Sequence, residues 1–174
     1  MRKTALLLSI LLLLSALAAC GAKQPAAPEG PLPPSEADCV LTLRGTALRM
    51  GDDFLPLADL LGQPDIEEGQ ACLSGGYDIN YYYNGEETTV YTLAEDGKQL
   101  IYDVYTADPE VEISRGLRIG VSTKTDVSAA FGEPTKTLPA AMRYTLADGT
   151  RTLAFEFDGE VLIAVGVTDD TKTG

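Results

Sequence analysis

The sequence predicts an α+β fold with two pseudo-repeats, each a short helix or helix pair packed on an antiparallel sheet of three to four strands. The first observation is an internal repeat: LRMG at 48–51 returns as LRIG at 117–120, and LGQP at 61–64 returns as FGEP at 131–134. The second is a set of Asn-Gly and Asp-Gly dipeptides between runs of alternating apolar and polar residues. Because such dipeptides are strong hairpin signals, both copies of the repeat should contain sheet.

A helix is predicted between the two motifs of each copy. The first helix should begin at Asp52 or Asp53 as its N-cap, and the second near Ser122. Each should end at a glycine, Gly62 or Gly132, because glycine takes the left-handed C-cap conformation and the proline two residues later cannot continue the helix. The copies are offset by 69 residues at the first motif and by 70 at the second, so one insertion separates them.

Strands are predicted after each helix, because apolar and polar residues alternate there. One face of each sheet should therefore be buried under its helix. A leading hairpin over 40–44 and 46–50 opens the first copy. The other predicted strands cover 79–83, 88–93 and 99–105 in the first copy, and 142–146, 151–157 and 160–167 in the second.

The first twenty residues have the organisation of an export signal. A short cationic start precedes an apolar stretch over 5–19, which is too short to span a bilayer comfortably as a mature helix. The segment LAAC at 17–20 resembles the lipobox of bacterial lipoproteins. That resemblance implies removal of a signal peptide over 1–19, acylation of Cys20, and a lipid anchor on the extracytoplasmic face of the cell membrane. An ordinary secretory signal and an uncleaved anchor are the alternatives.

Composition divides the rest of the chain. Proline and alanine dominate 20–38, which predicts a lipidated cysteine followed by a semi-extended tether. The remainder is one domain's worth of chain, with the first repeat over 39–108, the second over 109–170 and a tail over 171–174. The formal net charge of −13 argues against nucleic acid as a partner and against docking on anionic headgroups. It favours either plain solubility or attraction to a basic partner.

The order of helix, Gly-x-Pro and three antiparallel strands, used twice, resembles the tandem repeats of the β-lactamase-inhibitor-protein fold. It is also similar to the small-protein-A (BamE-like) envelope lipoproteins, whose motif is matched by IGVS at 119–122 followed by FGEP at 131–134. The stretches 114–134 and 71–77 are similar to uncharacterised lipoproteins of Clostridia. The first copy departs from the motif, since Asp52 and Asp53 stand where the second copy has Val121 and Ser122. The resemblance implies binding of a protein through sheet and loop surfaces.

The sequence offers little material for catalysis. It contains no histidine, which excludes Ser-His-Asp and Cys-His catalysis, imidazole zinc sites and the usual near-neutral general base. Acidic residues occur as neighbours, such as Glu67 and Glu68, and adjacent acids on a strand point to opposite faces. We therefore predict no catalytic residue, no metal site and no cofactor, with a hydrolase built on carboxylates alone as the alternative.

Two cysteines are left once Cys20 is acylated. Because an exported protein meets oxidising conditions, Cys39 and Cys72 are predicted to form a disulfide. The alternative is two buried free thiols.

Tyrosine is concentrated in the first copy, which holds seven of the eight. If Ile79, Tyr81 and Tyr83 point inward, Tyr82 points outward. By the same alternation Leu100, Tyr102 and Val104 should be inward, with Tyr105 outward beside Asp103. We predict that Tyr82, Asp103 and Tyr105 bind a partner, since exposed tyrosines are good anchors for a protein or a glycan. Alternatively they only cover the sheet.

These observations predict a membrane-anchored envelope lipoprotein that acts as a non-catalytic protein-binding module. The acylated Cys20 would anchor the protein in the lipid bilayer, and the other partner would be an envelope protein of unknown identity. The alternative is an inhibitor of an envelope peptidase or β-lactamase, in which a loop over 65–76 enters the active site.

Overall fold

A computed structural model describes residues 30–71, 77–85 and 87–172. Within these residues the chain is α+β, as predicted, with an eight-stranded antiparallel sheet, a separate hairpin and two α-helices. The helices are α1 (Leu55–Leu61) and α2 (Lys124–Phe131). The strands are β1 (Val40–Leu43), β2 (Thr46–Arg49), β3 (Ile66–Ala71), β4 (Tyr77–Tyr83), β5 (Thr88–Glu95), β6 (Lys98–Thr106), β7 (Lys136–Leu138), β8 (Ala141–Thr145), β9 (Arg151–Asp158) and β10 (Val161–Asp169).

The large sheet has the strand order β3-β4-β5-β6-β10-β9-β8-β7. Its centre is the antiparallel pair of β6 and β10, in which Tyr105 is opposite Gly166 and Val104 is opposite Val167. A Cβ at Gly166 would lie 3.8 Å from the Tyr105 ring, which is an ordinary van der Waals contact. The two strands that are far apart in sequence thus join the two halves of the chain in one sheet.

Every predicted strand is present, but two strands were not predicted. β3 reads Ile-Glu-Glu-Gly-Gln-Ala, which lacks an apolar alternation, and β7 has only three residues. Both are edge strands, and pairing with β4 and β8 rather than their own sequence makes them extended. The predicted loop over 65–76 was therefore wrong for residues 66–71.

The hairpin turns follow the dipeptide signals. Asp96 and Gly97 both have positive φ, at 49° and 77°, and form the two-residue loop between the paired residues Glu95 and Lys98. Two central residues with positive φ are the requirement of a type I′ turn, which matches the twist of the flanking strands. Asn84 and Gly85 also have positive φ, at 55° and 65°, but the connection there is longer, since Tyr83 pairs with Thr88.

The helix ends were predicted better than the helix starts. Gly62 and Gly132 end α1 and α2 with positive φ, and their N–H groups donate to Ala58 and Ser128. The N-cap of α1 is Phe54, not Asp52 or Asp53. Asp53 instead forms a β-bridge to Leu100 of β6, and its carboxylate accepts a hydrogen bond from the Gln99 N–H. The N-cap of α2 is Thr123, one residue after Ser122, and it forms a capping box with Asp126.

One hydrophobic core lies between one face of the large sheet and the layer made by α1, α2 and the β1–β2 hairpin. Phe54 packs on Tyr81 with ring centroids 4.5 Å apart, and Phe131 packs on Phe155 at 5.4 Å. Both halves of the chain contribute to the same cluster, so each half completes its burial against the other.

The end of the predicted tether is part of the domain. Arg115 donates five hydrogen bonds: two to the Asp38 carboxylate, at 2.8 and 2.6 Å, and one each to the carbonyls of Leu32, Pro33 and Ala130. Its guanidinium also lies 4.0 Å from the centroid of the Phe131 ring. The prediction of a spacer up to residue 38 therefore needs correction, because Arg115 holds residues 32–38 against the end of α2.

Candidate binding face

The face of the sheet opposite the helices, here called the open face, carries aromatic and polar side chains. Tyr81 and Tyr83 are 4% and 1% exposed and belong to the core, so Tyr82 between them lies on the open face. Val90 and Val104 are likewise buried, which places their neighbours Tyr91 and Tyr105 on that face. The inward positions predicted for Tyr81, Tyr83 and Val104, and the outward positions of Tyr82 and Tyr105, are confirmed.

Tyr102 does not point into the core as predicted. Tyr91 pairs with Asp103 but Thr92 pairs with Ile101, so Tyr102 is an extra residue in a β-bulge. The bulge shifts the alternation by one residue, and Ile101 rather than Leu100 enters the core at 1% exposure. Tyr102 instead meets Tyr91 on the open face, with ring centroids 6.2 Å apart.

Four tyrosines thus share the open face of the first half, and we call Tyr82, Tyr91, Tyr102 and Tyr105 the tyrosine cluster. Tyr82 and Tyr105 lie in one cross-strand row, on either side of Thr89. Thr89 is only 4% exposed although its side chain is on the open face, which indicates that the neighbouring rings cover it.

Two tyrosines of the cluster donate hydrogen bonds to carboxylates. The Tyr82 hydroxyl donates to Glu68 at 3.3 Å, and the Tyr105 hydroxyl donates to Glu156 at 3.2 Å. Burial raises the pKa of Tyr105, and the Glu156 carboxylate raises it further. Burial also raises the pKa of Tyr82 and of Tyr102. The phenols therefore remain protonated and donate hydrogen bonds at neutral pH.

Asp103 lies beside the tyrosine cluster, as predicted. It is opposite Tyr91 in the β5–β6 pair, and its carboxylate accepts a hydrogen bond of 2.9 Å from Thr168 on β10. Burial raises the pKa of Asp103, and the nearby carboxylate of Asp170 raises it too. The structure therefore places all three predicted binding residues, Tyr82, Asp103 and Tyr105, on one face.

The second half of the open face contains a cavity of about 570 Å³ that the sequence did not reveal. Small and polar side chains from β8, β9 and β10 form its floor, and Lys136 and Arg143 on the outer strands form one wall. The surface is recessed here because the small residues Gly166 and Ala154 lie between Tyr105 and Arg143 in one cross-strand row. The floor and opposite wall are lined by Thr145, Thr152, Ala154, Thr168 and Asp170.

Sequence alternation correctly placed Leu153, Phe155 and Phe157 of β9 on the buried face. In β10 it was correct for Val165 and Val167 but wrong for Val161 and Ile163, which are exposed because a bulge at Ile163 shifts the alternation. It did not show which outward residues become neighbours.

The buried carboxylates have structural partners. Asp38 is held by Arg115, and Asp108 accepts hydrogen bonds from the side-chain amide of Asn84 and from the Glu110 N–H. Among the residues that the structure describes, no group of three or more His, Cys, Asp or Glu side chains could hold a metal ion.

The remaining predicted residues concern the cysteines. Cys39 is buried and forms no disulfide within the described residues, and burial raises the pKa of its thiol to about 12, with Asp38 and Asp148 adding to the effect. Cys72 and the lipidation residue Cys20 lie outside the described residues, so both the disulfide and the acylation stay predictions.

No helix in the described part of the chain is long and apolar enough to cross a membrane. No family model matches the sequence, and no curated protein is similar to it by sequence. One solved structure to which the chain is similar is a DUF4309 family protein (YjgB) from Bacillus subtilis. The two share 14% sequence identity with a TM-score of 0.43, over 71% of this chain and 82% of the other.

Proposed function

We propose that this protein is a membrane-anchored lipoprotein of the cell envelope that acts as a non-catalytic protein-binding module through its open face. The tyrosine cluster is the observation that carries the proposal. Tyrosine gives a large contact area at a low cost in side-chain entropy, and its hydroxyl can bond to a polar partner. Because the rings already rest on one another and on carboxylates, little further ordering is needed on binding.

The anchor in this proposal rests on the sequence motif that ends at Cys20. It is compatible with the route of the chain near residue 30. Pro31 lies 3.5 Å from the position of a Cβ at Gly132, and the Leu32 N–H donates to the Ala130 carbonyl at the end of α2. The chain therefore reaches the domain on its helix side, which leaves the open face free to meet a partner.

We further propose that the two halves are repeats of one unit consisting of a helix and four strands. Equivalent hydrogen bonds support this. The N–H of Gly51 donates to Ile101 at 2.7 Å, and the N–H of Gly120 donates to Leu162 at 2.8 Å. In return, Ile101 donates to Asp52 in the first half, and Leu162 donates to Ser122 in the second. Asp52 thus corresponds to Ser122, and the single insertion between the copies falls on Val121.

A pseudo-twofold axis through the centre of the sheet also supports the repeat. The offset between Ile101 and Leu162 is 61 residues, and the same offset relates Tyr105 to Gly166, which are opposite one another. The axis would pass between these two residues. The first copy has a tyrosine at this position and the second a glycine, so the repeat supplies the scaffold and the tyrosine cluster is confined to one half.

The test is binding of a partner identified by crosslinking on intact cells and then purified. We expect the double substitution Tyr82→Thr/Tyr105→Thr to weaken binding between this protein and the partner by about 10-fold or more, as for anchor residues of an interface. Threonine keeps the β-propensity of the strands, and it already lies between the two tyrosines. The matched control is Leu55→Ala/Leu60→Ala, which removes exposed apolar side chains from α1 on the other face.

The affinity of the control variant should equal that of the unchanged protein. If the tyrosine variant keeps full affinity while the α1 variant loses it, binding uses the helix side and the proposed face is wrong. If crosslinking on cells enriches no protein reproducibly, the proposal of a protein ligand fails.

A further inference from the structure

We infer that the cavity on the second half of the open face binds an oxyanion, either a carboxylate or a phosphate group of a ligand. The inference rests on the proposed function in that the ligand occupies the same open face, and it names the chemistry of this half. Its starting point is Lys136 and Arg143, which are directly opposite one another in the pairing of β7 and β8.

Two like charges in opposite positions of a strand pair destabilise it. Within the described residues, neither Lys136 nor Arg143 forms an ion pair. This is unexpected in a chain with 26 acidic and 13 basic residues, where a nearby carboxylate would be easy to supply. Both side chains are exposed, so solvent reduces the repulsion, and a bound anion would remove what remains.

Thr135 adds a neutral donor to the same wall of the cavity. Its hydroxyl oxygen accepts a hydrogen bond of 3.0 Å from the Thr145 N–H, which leaves the hydroxyl proton for a ligand. An ammonium, a guanidinium and a hydroxyl therefore line one side of the cavity. Charged donors of this kind bind carboxylate and phosphate oxygens with strong hydrogen bonds.

The opposite wall limits what the anion can be. Thr152 donates to the Asp170 carboxylate at 2.7 Å, and its oxygen lies 3.0 Å from that of Thr145, so Thr145 donates to Thr152. The hydroxyl protons of Thr145 and Thr152 therefore point along this chain toward Asp170 and not toward Lys136 and Arg143. The resulting negative side repels a second anionic group, and a ligand with a single anionic end fits better than a polyanion.

The neighbouring tyrosine cluster defines the direction of a larger ligand. Lys136, Arg143, Ala154, Gly166 and Tyr105 form one cross-strand row. Three strand spacings of about 4.8 Å separate Arg143 from Tyr105, which is about 14 Å. A segment whose anionic end lies at Lys136 and Arg143 would cross the small residues Ala154 and Gly166 and reach Tyr105.

The test is an NMR titration of the purified protein with inorganic phosphate, with acetate, and with neutral acetamide, all at constant ionic strength set with chloride. We expect saturable shifts of the amides of Lys136, Arg143 and Thr145 with phosphate, acetate or both, and none with acetamide. The ion that binds more tightly identifies the source of the oxyanion.

The decisive variant is Lys136→Gln/Arg143→Gln, for which we expect affinity to fall by about 10-fold or more because two charge-assisted hydrogen bonds are lost. The matched control, Lys98→Gln/Arg118→Gln, removes the same charge elsewhere and should leave affinity unchanged. The inference is overturned if neither ion gives saturable shifts, or if both variants bind equally. Since no protein partner is used, this result is independent of the partner test: either can fail alone.

Discussion

Arg115 shows how much one residue contributes to the boundary of this domain. All five of its N–H donors have acceptors, and the residue adopts a left-handed backbone conformation with φ of 57°. Such a conformation is unfavourable for a residue with a side chain, and the hydrogen bonds to Asp38 and to three carbonyls offset that cost. Neither the partners nor the conformation could be predicted, because Asp38 and Arg115 are 77 residues apart.

We predict that Arg115→Gln lowers the free energy of unfolding by about 2–3 kcal/mol, because the Asp38 carboxylate, 7% exposed, would lose its counter-charge. Urea denaturation measures this change. Arg118→Gln, an exposed neighbour, is the control and should change stability by less than about 0.5 kcal/mol. Equal stability of both variants would show that the Arg115 network does not hold the N-terminal segment.

The same residue pair predicts a pH dependence. Burial alone would raise the pKa of Asp38, but hydrogen bonds from Arg115 and Ser35 outweigh it and lower the pKa from 3.8 to about 2. A lowered pKa means that the stabilisation is complete above pH 4 and is lost as the pH falls toward 2, with a size of about 2 kcal/mol. Between pH 4 and pH 2 the free energy of unfolding should fall less for Arg115→Gln than for the unchanged protein. An identical pH dependence in the two proteins would contradict the assignment.

At the scale of elements, local sequence signals predicted ends and turns, while pairing decided the edges. The glycines that end α1 and α2 and the Asn-Gly and Asp-Gly turns depend only on nearby backbone, and they were predicted correctly. The edge strands β3 and β7 and the bulge at Tyr102 depend on a neighbouring strand. That dependence explains why the sequence predicted six strands of the sheet and missed two.

The capping box of α2 gives the prediction at this scale. Asp126 accepts hydrogen bonds from both the N–H and the hydroxyl of Thr123, each at 2.8 Å. Thr123→Ala should destabilise the protein by about 1 kcal/mol, because it removes the side-chain half of the box. Thr125→Ala is the control, because Thr125 lies two residues further along the chain, within α2, and is exposed. The midpoint of thermal unfolding should be lower for Thr123→Ala than for Thr125→Ala. Equal midpoints would contradict the role of Thr123.

On the scale of the whole molecule, the halves share one sheet and one core. The β6–β10 pair joins them, and residues of both halves belong to the same buried cluster. A domain organised in this way should unfold in a single step, because neither half can keep its buried surface without the other.

Tyrosine fluorescence offers a direct test of this cooperativity, since seven of the eight tyrosines lie in the first half and the chain has no tryptophan. Fluorescence therefore reports mainly on the first half, while far-ultraviolet circular dichroism reports on both. We expect the two denaturation curves to have the same midpoint. A lower midpoint for either signal would mean that the halves unfold separately.

The sequence by itself determined the α+β class, the helix ends, most strands and the outward positions of Tyr82, Asp103 and Tyr105. These depend on the period of hydrophobicity and on the conformations open to glycine and asparagine, which are properties of short segments. Only the tertiary structure decided that Tyr91 and Tyr102 join the tyrosine cluster, that Lys136 and Arg143 form the wall of a cavity, and that Arg115 binds Asp38. Those relations connect residues from separate strands and loops, and a register or a bulge that no single segment encodes brings them together.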